Sequence, residues 1–338
     1  MINLSSDTQT RPTPAMRRAM AEAEVGDEQS FADPTVTRLC ERTAELLGHE
    51  AAVFLPSGTM CNAIAFRLHL RPGGDEVILH RTAHPRVFEA GGPAAISGAM
   101  VNPVDGDAGR FDGDTVHAAV GVGRDRYSPR PRLVSVEQTA NVAGGRVWPL
   151  DQVRDVLAAA GEHGMRAHLD GARLMNAVVA TGTPAAEWAR GFDTAWLDFT
   201  KGLGAPVGAV LAGSRELIDE AWRYKQMWGG AMRQAGIIAA GALHALDHHV
   251  DRLADDHEHA RELAGGLAET RGVQIDPATV DTNIVVFRVA DAAALCDTLE
   301  RSGVLMGPLD ATTVRAVTHL DVGREDVERA LEAIRAAI

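Results

Sequence analysis

Short apolar segments alternate with helical patterns along this chain, and this alternation restricts its fold more than any other feature. Strands are predicted at 51–55, 76–80 and 132–137. Two further strands are predicted directly before Asp170 and directly before Lys201, and the second of these has a predicted hairpin partner at 208–213. The predicted helices of this region lie at 34–47, from 56–59 to about 70, at 86–91 and at 151–163. Strands that alternate with helices form a mostly parallel sheet covered on both faces. The sequence therefore predicts an α/β fold.

The length of 338 residues indicates one large domain and one smaller domain. Residues 1–13 are predicted to form an extended arm, because Pro12 and Pro14 prevent an early helix. The large domain is expected over residues 14–240. Residues 241–338 are expected to hold most of a long connecting helix, at about 237–267, and a compact α+β domain. The predicted elements of that domain are strands at 284–289 and 314–318 and helices at 292–302 and 325–338.

Charge and cysteine content argue against several classes of partner. The formal net charge is −13, so nucleic acids and anionic membranes would be repelled. Cys40, Cys61 and Cys296 are scattered and lack C-x-x-C spacing, which fits neither a disulfide framework nor a zinc site. The amino terminus has no signal-peptide pattern, and no run reaches the ~18 apolar residues of a membrane span. The sequence therefore predicts a cytoplasmic protein without a membrane partner.

Lysine is almost absent from this chain. Of its 33 lysine and arginine residues, only Lys201 and Lys225 are lysines. Arginine cannot act as an amine nucleophile, so a lysine placed after an apolar strand and before three glycines indicates a role that arginine cannot fill. An amine in that position suits a Schiff base with pyridoxal 5′-phosphate. The alternative is a surface lysine in a glycine-rich turn.

A carboxylate ends the apolar strand that precedes the Lys201 strand. Asp170 lies where open α/β sheets bind ligands, at the carboxyl end of a strand. In pyridoxal enzymes an acid there pairs with the protonated ring nitrogen. Arg173 follows closely and could hold a carboxylate or the ring oxygen by two hydrogen bonds. The alternative is an aspartate that caps the next helix, with an arginine beside it.

The turn at 56–59 is a candidate phosphate site. A buried strand precedes it and a helix follows, so its free N–H groups and the positive end of the helix dipole could face an anion. The alternative is an ordinary helix cap. A second candidate, the polar stretch 247–259, offers only Asp255 and His259 as good ligands on one helical face, which predicts a solvated helix and no metal site.

Together these motifs resemble one family, the low-specificity L-threonine aldolases. These belong to the fold-type-I, aspartate-aminotransferase-like class of pyridoxal enzymes. The resemblance covers nearly the whole chain in order and spacing. The motifs that carry it lie at 4–8, 10–13, 25–27, 33–36, 56–59, 83–84, 88–92, 168–173, 201–208, 229–234 and 317–321.

The resemblance implies a role for each matched residue. Lys201 would form the Schiff base with pyridoxal 5′-phosphate, and His84 would stack on the pyridine ring and take part in catalysis. The other implied cofactor contacts are Ser57, Gly58, Thr59, Asp170, Arg173, Thr200 and Arg233. The implied contacts to the carboxylate of an amino-acid substrate are Ser6, Arg173 and Arg315. The resemblance also implies a homodimer or homotetramer, in which Arg233 and the loop at 229–230 reach the neighbouring subunit's cofactor.

Ala140 is the departure from the family that bears most on the reaction. The family reads Glu-Asn-Thr-His-Asn where this chain reads Glu-Gln-Thr-Ala-Asn at 137–141, so the histidine expected beside the substrate's β-hydroxyl is missing. General-base help is worth ~10² to 10⁴ in rate. We expect a small apolar pocket at Ala140 that favours apolar β-substituents. The other departures are Ser30 for a tyrosine, Phe31 for a glycine, Thr200 for a serine, the unusual Asp198, and Gln226 for a lysine, with Lys225 one place earlier.

Three functions follow from this pattern. The first is cleavage or formation of the Cα–Cβ bond of a β-hydroxy-α-amino acid, with water, His84 or another group replacing the missing histidine. The second is another pyridoxal reaction on the same fold, such as β-elimination, racemisation or transaldol transfer. The third is a relative that binds the cofactor without turnover.

Overall fold

The structure is a computed structural model that describes residues 1–121 and 126–338. It confirms the α/β fold, with helices packed around a central sheet. The strands are β1 (Ile2–Asn3), β2 (Ala51–Leu55), β3 (Asp75–His80), β4 (Met100–Val104), β5 (Arg130–Glu137), β6 (Arg166–Asp170), β7 (Thr194–Asp198), β8 (Ala209–Gly213), β9 (Ile284–Arg288), β10 (Val304–Leu305), β11 (Gly307–Pro308) and β12 (Thr313–Val317). The helices are α1 (Pro14–Ala21), α2 (Pro34–Leu47), α3 (Gly58–His69), α4 (His84–Val87), α5 (Gly92–Ala95), α6 (Gly113–Val120), α7 (Leu150–Glu162), α8 (Leu174–Thr181), α9 (Ala185–Ala189), α10 (Arg215–Met227), α11 (Gly236–His248), α12 (Leu253–Ala268), α13 (Ala292–Arg301) and α14 (Arg324–Ala337).

The central sheet has the strand order β2-β8-β7-β6-β5-β3-β4. β8 is antiparallel to both of its neighbours, and the other neighbouring strands run parallel. The strands read as continuous apolar runs because helices cover both faces of the sheet. The carboxyl ends of β2, β3, β5, β6 and β7 therefore meet at one edge, where ligands bind in folds of this kind.

Local signals set the bounds of α2 as the sequence predicted. The Asp33 side chain accepts hydrogen bonds from the backbone N–H groups of Thr35 and Val36 and so caps the helix. Pro34 occupies the first turn. Gly48 ends the helix with a φ of 71°, in the left-handed region that favours glycine.

The smaller domain packs helices against a sheet of β11, β12 and β9, whose neighbouring strands are antiparallel. The predicted amino-terminal arm joins this domain, because β1 pairs in parallel with β10. Ile2 and Leu4 are buried in the core of this domain. The backbone N–H of Val317 donates to the carbonyl of Leu4 at 2.8 Å. The two ends of the chain therefore build one domain.

The prediction of one long helix at 237–267 is wrong. The segment forms α11 and α12, separated near His249, whose Nδ1 lies 2.7 Å from the carbonyl oxygen of Leu203. α11 packs in the core of the large domain, whereas α12 packs in the core of the smaller domain. The break thus lets each helix bury its apolar face in a different core.

The single helix predicted at 86–91 is also wrong, because the short helices α4 and α5 replace it. Among the described residues, the helices are too short or too polar to span a membrane.

Candidate active site

A cavity of about 270 Å³ lies at the carboxyl edge of the central sheet. The loops that follow β2, β3, β6 and β7 meet there. The predicted site residues that line it are Ser57, Gly58, Thr59, His84, Thr200 and Lys201. Pro56, Ala172, Trp196, Asp198, Pro206 and Val207 complete the lining. Residues from motifs that are far apart in the sequence therefore line one cavity in the folded chain.

Lys201 opens a short 3₁₀ turn directly after β7. Its φ of 57° lies in the left-handed region, which costs a non-glycine residue of order 1 kcal/mol. The Thr10 hydroxyl donates to the Lys201 carbonyl at 2.8 Å and so holds this backbone conformation. The side chain reaches the cavity, where Nζ lies 2.6 Å from Oδ2 of Asp198 and 5.8 Å from the centre of the Trp196 ring.

Thr200 positions the carboxylate beside Lys201. Oδ1 of Asp198 accepts hydrogen bonds from the Thr200 backbone N–H at 3.0 Å and from the Thr200 hydroxyl at 2.8 Å. The other carboxylate oxygen, Oδ2, faces Lys201 Nζ. The structure thus places Thr200 at the cavity and also assigns it a protein partner.

The anion site predicted from the sequence lies at the amino terminus of α3. Ser57 caps the helix, since its Oγ accepts the Met60 N–H at 3.2 Å. The first N–H groups of a helix have no acceptor within the helix, so those of Gly58 and Thr59 can face an anion. Gly58 is needed there, because a Cβ on it would lie 2.2 Å from a ring carbon of Trp196.

A buried chain of hydrogen bonds joins Asp170 to His84. Asn62 Nδ2 donates to Asp170 Oδ2 at 2.9 Å and to Glu89 Oε1 at 2.8 Å. The same Glu89 oxygen lies 2.9 Å from His84 Nδ1. The Ala172 N–H donates to Asp170 Oδ1 at 3.0 Å. One amide group thus holds two carboxylates, the predicted cofactor contact Asp170 and the Glu89 that contacts His84.

Asn62 and Glu89 are site residues that the sequence motifs did not indicate. Oδ1 of Asn62 accepts the indole N–H of Trp196 at 2.8 Å and lies 3.1 Å from Nε2 of His168. Asn62 therefore makes four polar contacts while it is 1% exposed. Its signal in the sequence is a single amide within the apolar run 60–66, one helical turn after the anion site.

Three carboxylates set the protonation of His84. Burial lowers its pKa, but the hydrogen bond to Glu89 and the charges of Asp170, Glu89 and Glu137 outweigh burial, so the pKa of His84 is raised. Burial raises the pKa of Glu137 to about 7, and the charge of Asp170 adds to this effect. Glu137 Oε2 accepts the backbone N–H of His84 at 2.6 Å. His84 therefore stays anchored through Nδ1 and its backbone, which leaves Nε2 for the cavity.

Arg173 is committed to a protein carboxylate. Its Nε and Nη2 donate to Asp7 at 2.8 and 2.6 Å, and both side chains are buried. Arg315 is half-buried and donates to Asn141 Oδ1 at 3.1 Å and to the Ser5 carbonyl at 3.2 Å. Burial and the charge of Arg173 lower the pKa of Arg315. The two predicted substrate arginines are therefore close enough to repel each other.

Ser6 and Arg233 have local partners. The Ser6 hydroxyl accepts from the N–H and the hydroxyl of Thr8, at 3.2 and 2.8 Å. Arg233 is 64% exposed and pairs with Asp27 at 3.0 Å. It lies outside the lining of the 270 Å³ cavity of its own subunit. Its predicted contact to a cofactor would have to be made with a neighbouring subunit.

The small pocket expected at Ala140 is already filled. Ala140 is 4% exposed. A Cβ added to Gly109 would lie 2.7 Å from the Ala140 Cβ, so the turn at 107–109 packs directly on this side chain. The expectation of an open apolar pocket at Ala140 is therefore wrong.

Comparisons with known proteins give the family. The model of the beta-eliminating lyase family matches residues 3–291. Low-specificity L-threonine aldolase 1 of Arabidopsis thaliana is 38% identical, over 100% of this chain and 96% of its own length. The low specificity L-threonine aldolase of Escherichia coli strain K12 is 41% identical, over 97% of this chain and 96% of its own length. The threonine aldolase structure of Leishmania major is 22% identical, covers 100% of both chains and superposes with a TM-score of 0.86, which shows the same fold. This chain belongs to the beta-eliminating lyase family, among relatives that are low-specificity L-threonine aldolases.

Proposed function

We propose that this protein is a pyridoxal-5′-phosphate-dependent aldolase that cleaves L-threonine and related β-hydroxy-α-amino acids into glycine and an aldehyde. The observation that carries the proposal is the Lys201 amine in the cavity that His84 and the amino terminus of α3 also line. Full-length relatives named as L-threonine aldolases support the choice of reaction.

The cavity residues fit this cofactor group by group. The Lys201 amine suits the aldehyde carbon, and the N–H groups of Gly58 and Thr59 suit the phosphate. Asp170 does not line the cavity itself, but its buried carboxylate accepts the N–H of the lining residue Ala172 and suits the protonated ring nitrogen. Gly58, where a Cβ would meet the Trp196 ring, keeps the phosphate end of the cavity open. When bound, pyridoxal 5′-phosphate supplies an electron sink for the negative charge that develops at the substrate's α-carbon.

His84 is the base that the aldol cleavage requires. A general base must remove the β-hydroxyl proton when the Cα–Cβ bond breaks. Ala140 cannot do so, whereas His84 lines the cavity and has a raised pKa. Glu89 holds Nδ1 at 2.9 Å and stabilises the imidazolium that forms when Nε2 accepts the proton.

Arg315 is the main contact to the substrate's carboxylate, and Arg173, whose Nε and Nη2 are held by Asp7, is the secondary one. The charge of Arg173 lowers the pKa of Arg315, and an anion between the two guanidinium groups would relieve this repulsion. Asp7 neutralises part of the charge of Arg173, so Arg315 provides most of the attraction. Ser6 lies on the same amino-terminal segment as Asp7 and can add a hydroxyl contact.

We also infer a cytoplasmic homodimer or homotetramer. Exposed apolar side chains near the Arg233 loop, at Phe31, Met227 and Ile237, favour a subunit contact there. Cys40, Cys61 and Cys296 are free thiols, which fits a reducing compartment. Light scattering is expected to show a closed oligomer, and a stable monomer that retains the cofactor would contradict this inference.

The reaction is tested by product analysis of the purified protein with L-threonine and with L-phenylserine. We expect equal amounts of glycine and aldehyde, measured by aldehyde reduction coupled to NADH oxidation. Lys201→Arg is the matched variant, because it keeps the charge but removes the amine nucleophile, and it should be inactive. Ammonia with a 2-oxo acid would instead indicate β-elimination, and cofactor binding without any product would indicate a non-catalytic relative.

A further inference from the structure

Asp198 is the carboxylate in contact with the Lys201 amine, at 2.6 Å, and no role has yet been given to it. We propose that Asp198 is the counter-ion of the Lys201 nitrogen. Its carboxylate would balance the positive charge of that nitrogen and hold the nitrogen at the cavity, both before and after the nitrogen bonds to the aldehyde carbon of the cofactor. This inference rests on the proposed function and adds a positioning residue to it.

The carboxylate is held rigidly in this place. Asp198 is the last residue of β7, and its side chain is 6% exposed. Two hydrogen bonds from Thr200 occupy Oδ1, so rotation of the carboxylate would break both. The left-handed backbone of Lys201 fixes the other partner, with its carbonyl held by Thr10. Contacts within the protein therefore fix the positions of the Asp198 carboxylate and the Lys201 backbone without a ligand.

The other charged groups around Lys201 are already engaged. Asp7 pairs with Arg173 in two hydrogen bonds. Behind the 201–203 turn, Arg252 donates to the Gly202 carbonyl at 3.4 Å and pairs with Asp256.

On the cavity side, the remaining charged groups belong to the His84 chain. Asp170 accepts from Asn62, Glu89 contacts His84, and Glu137 accepts backbone N–H groups. Within the part of the chain that the structure describes, Asp198 is thus the carboxylate left to balance Lys201.

Formation of a C=N bond between Lys201 and the cofactor aldehyde explains why a counter-ion is needed here. A lysine ammonium would have to release its proton before its nitrogen could attack an aldehyde carbon. The C=N bond would form with loss of one water, and the nitrogen would then take a proton back and carry the positive charge again. The charge therefore needs the same partner before and after the bond forms, and a carboxylate that does not move can serve in both states.

The test is a pH titration of the yellow colour of the loaded, substrate-free protein. The yellow form carries the proton on the nitrogen, and a carboxylate in contact with it should hold that proton to higher pH. We expect Asp198→Asn to lose its yellow colour at a pH about 1 to 3 units lower than the wild type. Asp198→Glu restores the charge and should return the midpoint toward that of the wild type. Asp247→Asn, which removes an acid from an exposed pair with Arg42, is the control and should leave the midpoint unchanged.

The outcomes separate this inference from the proposed function. A wild-type protein that never becomes yellow would contradict the proposed function, whereas equal midpoints in wild type and Asp198→Asn would overturn only the role of Asp198. If Asp198→Asn does not fold, Thr200→Val keeps the carboxylate but removes one of its anchors, and a smaller shift in the same direction is expected. A Thr200→Val midpoint equal to the wild type would then overturn the inference.

Discussion

Asp7 and Arg173 form a buried two-point ion pair, with Oδ2–Nε and Oδ1–Nη2 distances of 2.8 and 2.6 Å. Asn283 Nδ2 also donates to Asp7 Oδ2, at 3.1 Å. Asp7 belongs to the amino-terminal segment, Arg173 follows β6 of the large domain, and Asn283 directly precedes β9 of the smaller domain. This one carboxylate therefore connects three parts of the chain.

We expect Asp7→Asn to reduce the free energy of unfolding by about 3–5 kcal/mol, because it leaves the Arg173 charge buried without a partner. Burial raises the pKa of Asp7, but the charge and hydrogen bond of Arg173 outweigh burial and lower the pKa to about 2. A lowered pKa means that the pair stabilises the protein above the ordinary value of 3.8 and that this stability is lost as the pH falls through about 2. Urea unfolding at several pH values measures both effects. The control is Asp247→Asn, and a loss no larger than in that control would contradict the prediction.

Borohydride reduction of the loaded protein should attach the cofactor to Lys201 alone. Lys225 is the other lysine, and it is fully buried in a 2.8 Å pair with Glu28, so it cannot compete. Peptide mapping by mass spectrometry identifies the labelled residue. The Lys201→Arg variant should remain unlabelled, and a label on Lys225 would exclude the proposed anchor.

Glu89→Gln should shift the acid limb of the kcat/KM profile to lower pH and reduce the maximal rate. Burial lowers the pKa of His84, and Glu89 raises it through a hydrogen bond and charge, so removal of that charge lowers the pKa, although the charges of Asp170 and Glu137 still raise it. A base works only when it is deprotonated, so a lower pKa extends activity to more acidic pH but weakens the base. Glu76→Gln, at the far side of the sheet beside Asn102, is the matched control. An unchanged acid limb would show that His84 is not the base.

Asn62→Ala should weaken cofactor binding. The variant removes the donor shared by Asp170 and Glu89 and leaves the Trp196 indole N–H without its acceptor. Each buried group that loses its partner costs about 1–3 kcal/mol. Asn102→Ala, which breaks a similar amide–carboxylate contact away from the site, is the control. Titration of the cofactor-free proteins by absorbance measures the affinity, and equal affinities in the two variants would contradict a positioning role.

Ala140→His should destabilise the protein without increasing threonine cleavage. The larger side chain would press on the turn at Gly109, and overpacking of this kind costs about 1–3 kcal/mol. Thermal unfolding and the aldehyde assay test the two parts separately. Ala140→Ser, a smaller change at the same position, should be tolerated. A histidine variant that is stable and cleaves threonine faster would show that the turn can move and that the position still serves the reaction.

The fold and the reactive groups follow from the sequence because they depend on local patterns. Short apolar runs specify the strands, and parallel strands place their carboxyl ends at one edge. Asp170 ends a strand, and Ser57 and Lys201 each follow one closely, so their position at a common edge can be predicted without knowledge of the packing. The scarcity of lysine identified Lys201 by chemistry alone.

The connections between those groups depend on tertiary packing, which local patterns do not encode. Asn62 binds Asp170 and Glu89 only because α3 packs against β6 and α5, and no spacing rule relates these three residues. The long apolar pattern at 237–267 divides because its two halves are buried in different cores. The turn at 107–109, which is distant in the sequence, packs on Ala140 and fills the space where a pocket was expected. A sequence therefore determines which groups reach the edge of the sheet, whereas the packing between elements decides what each group touches.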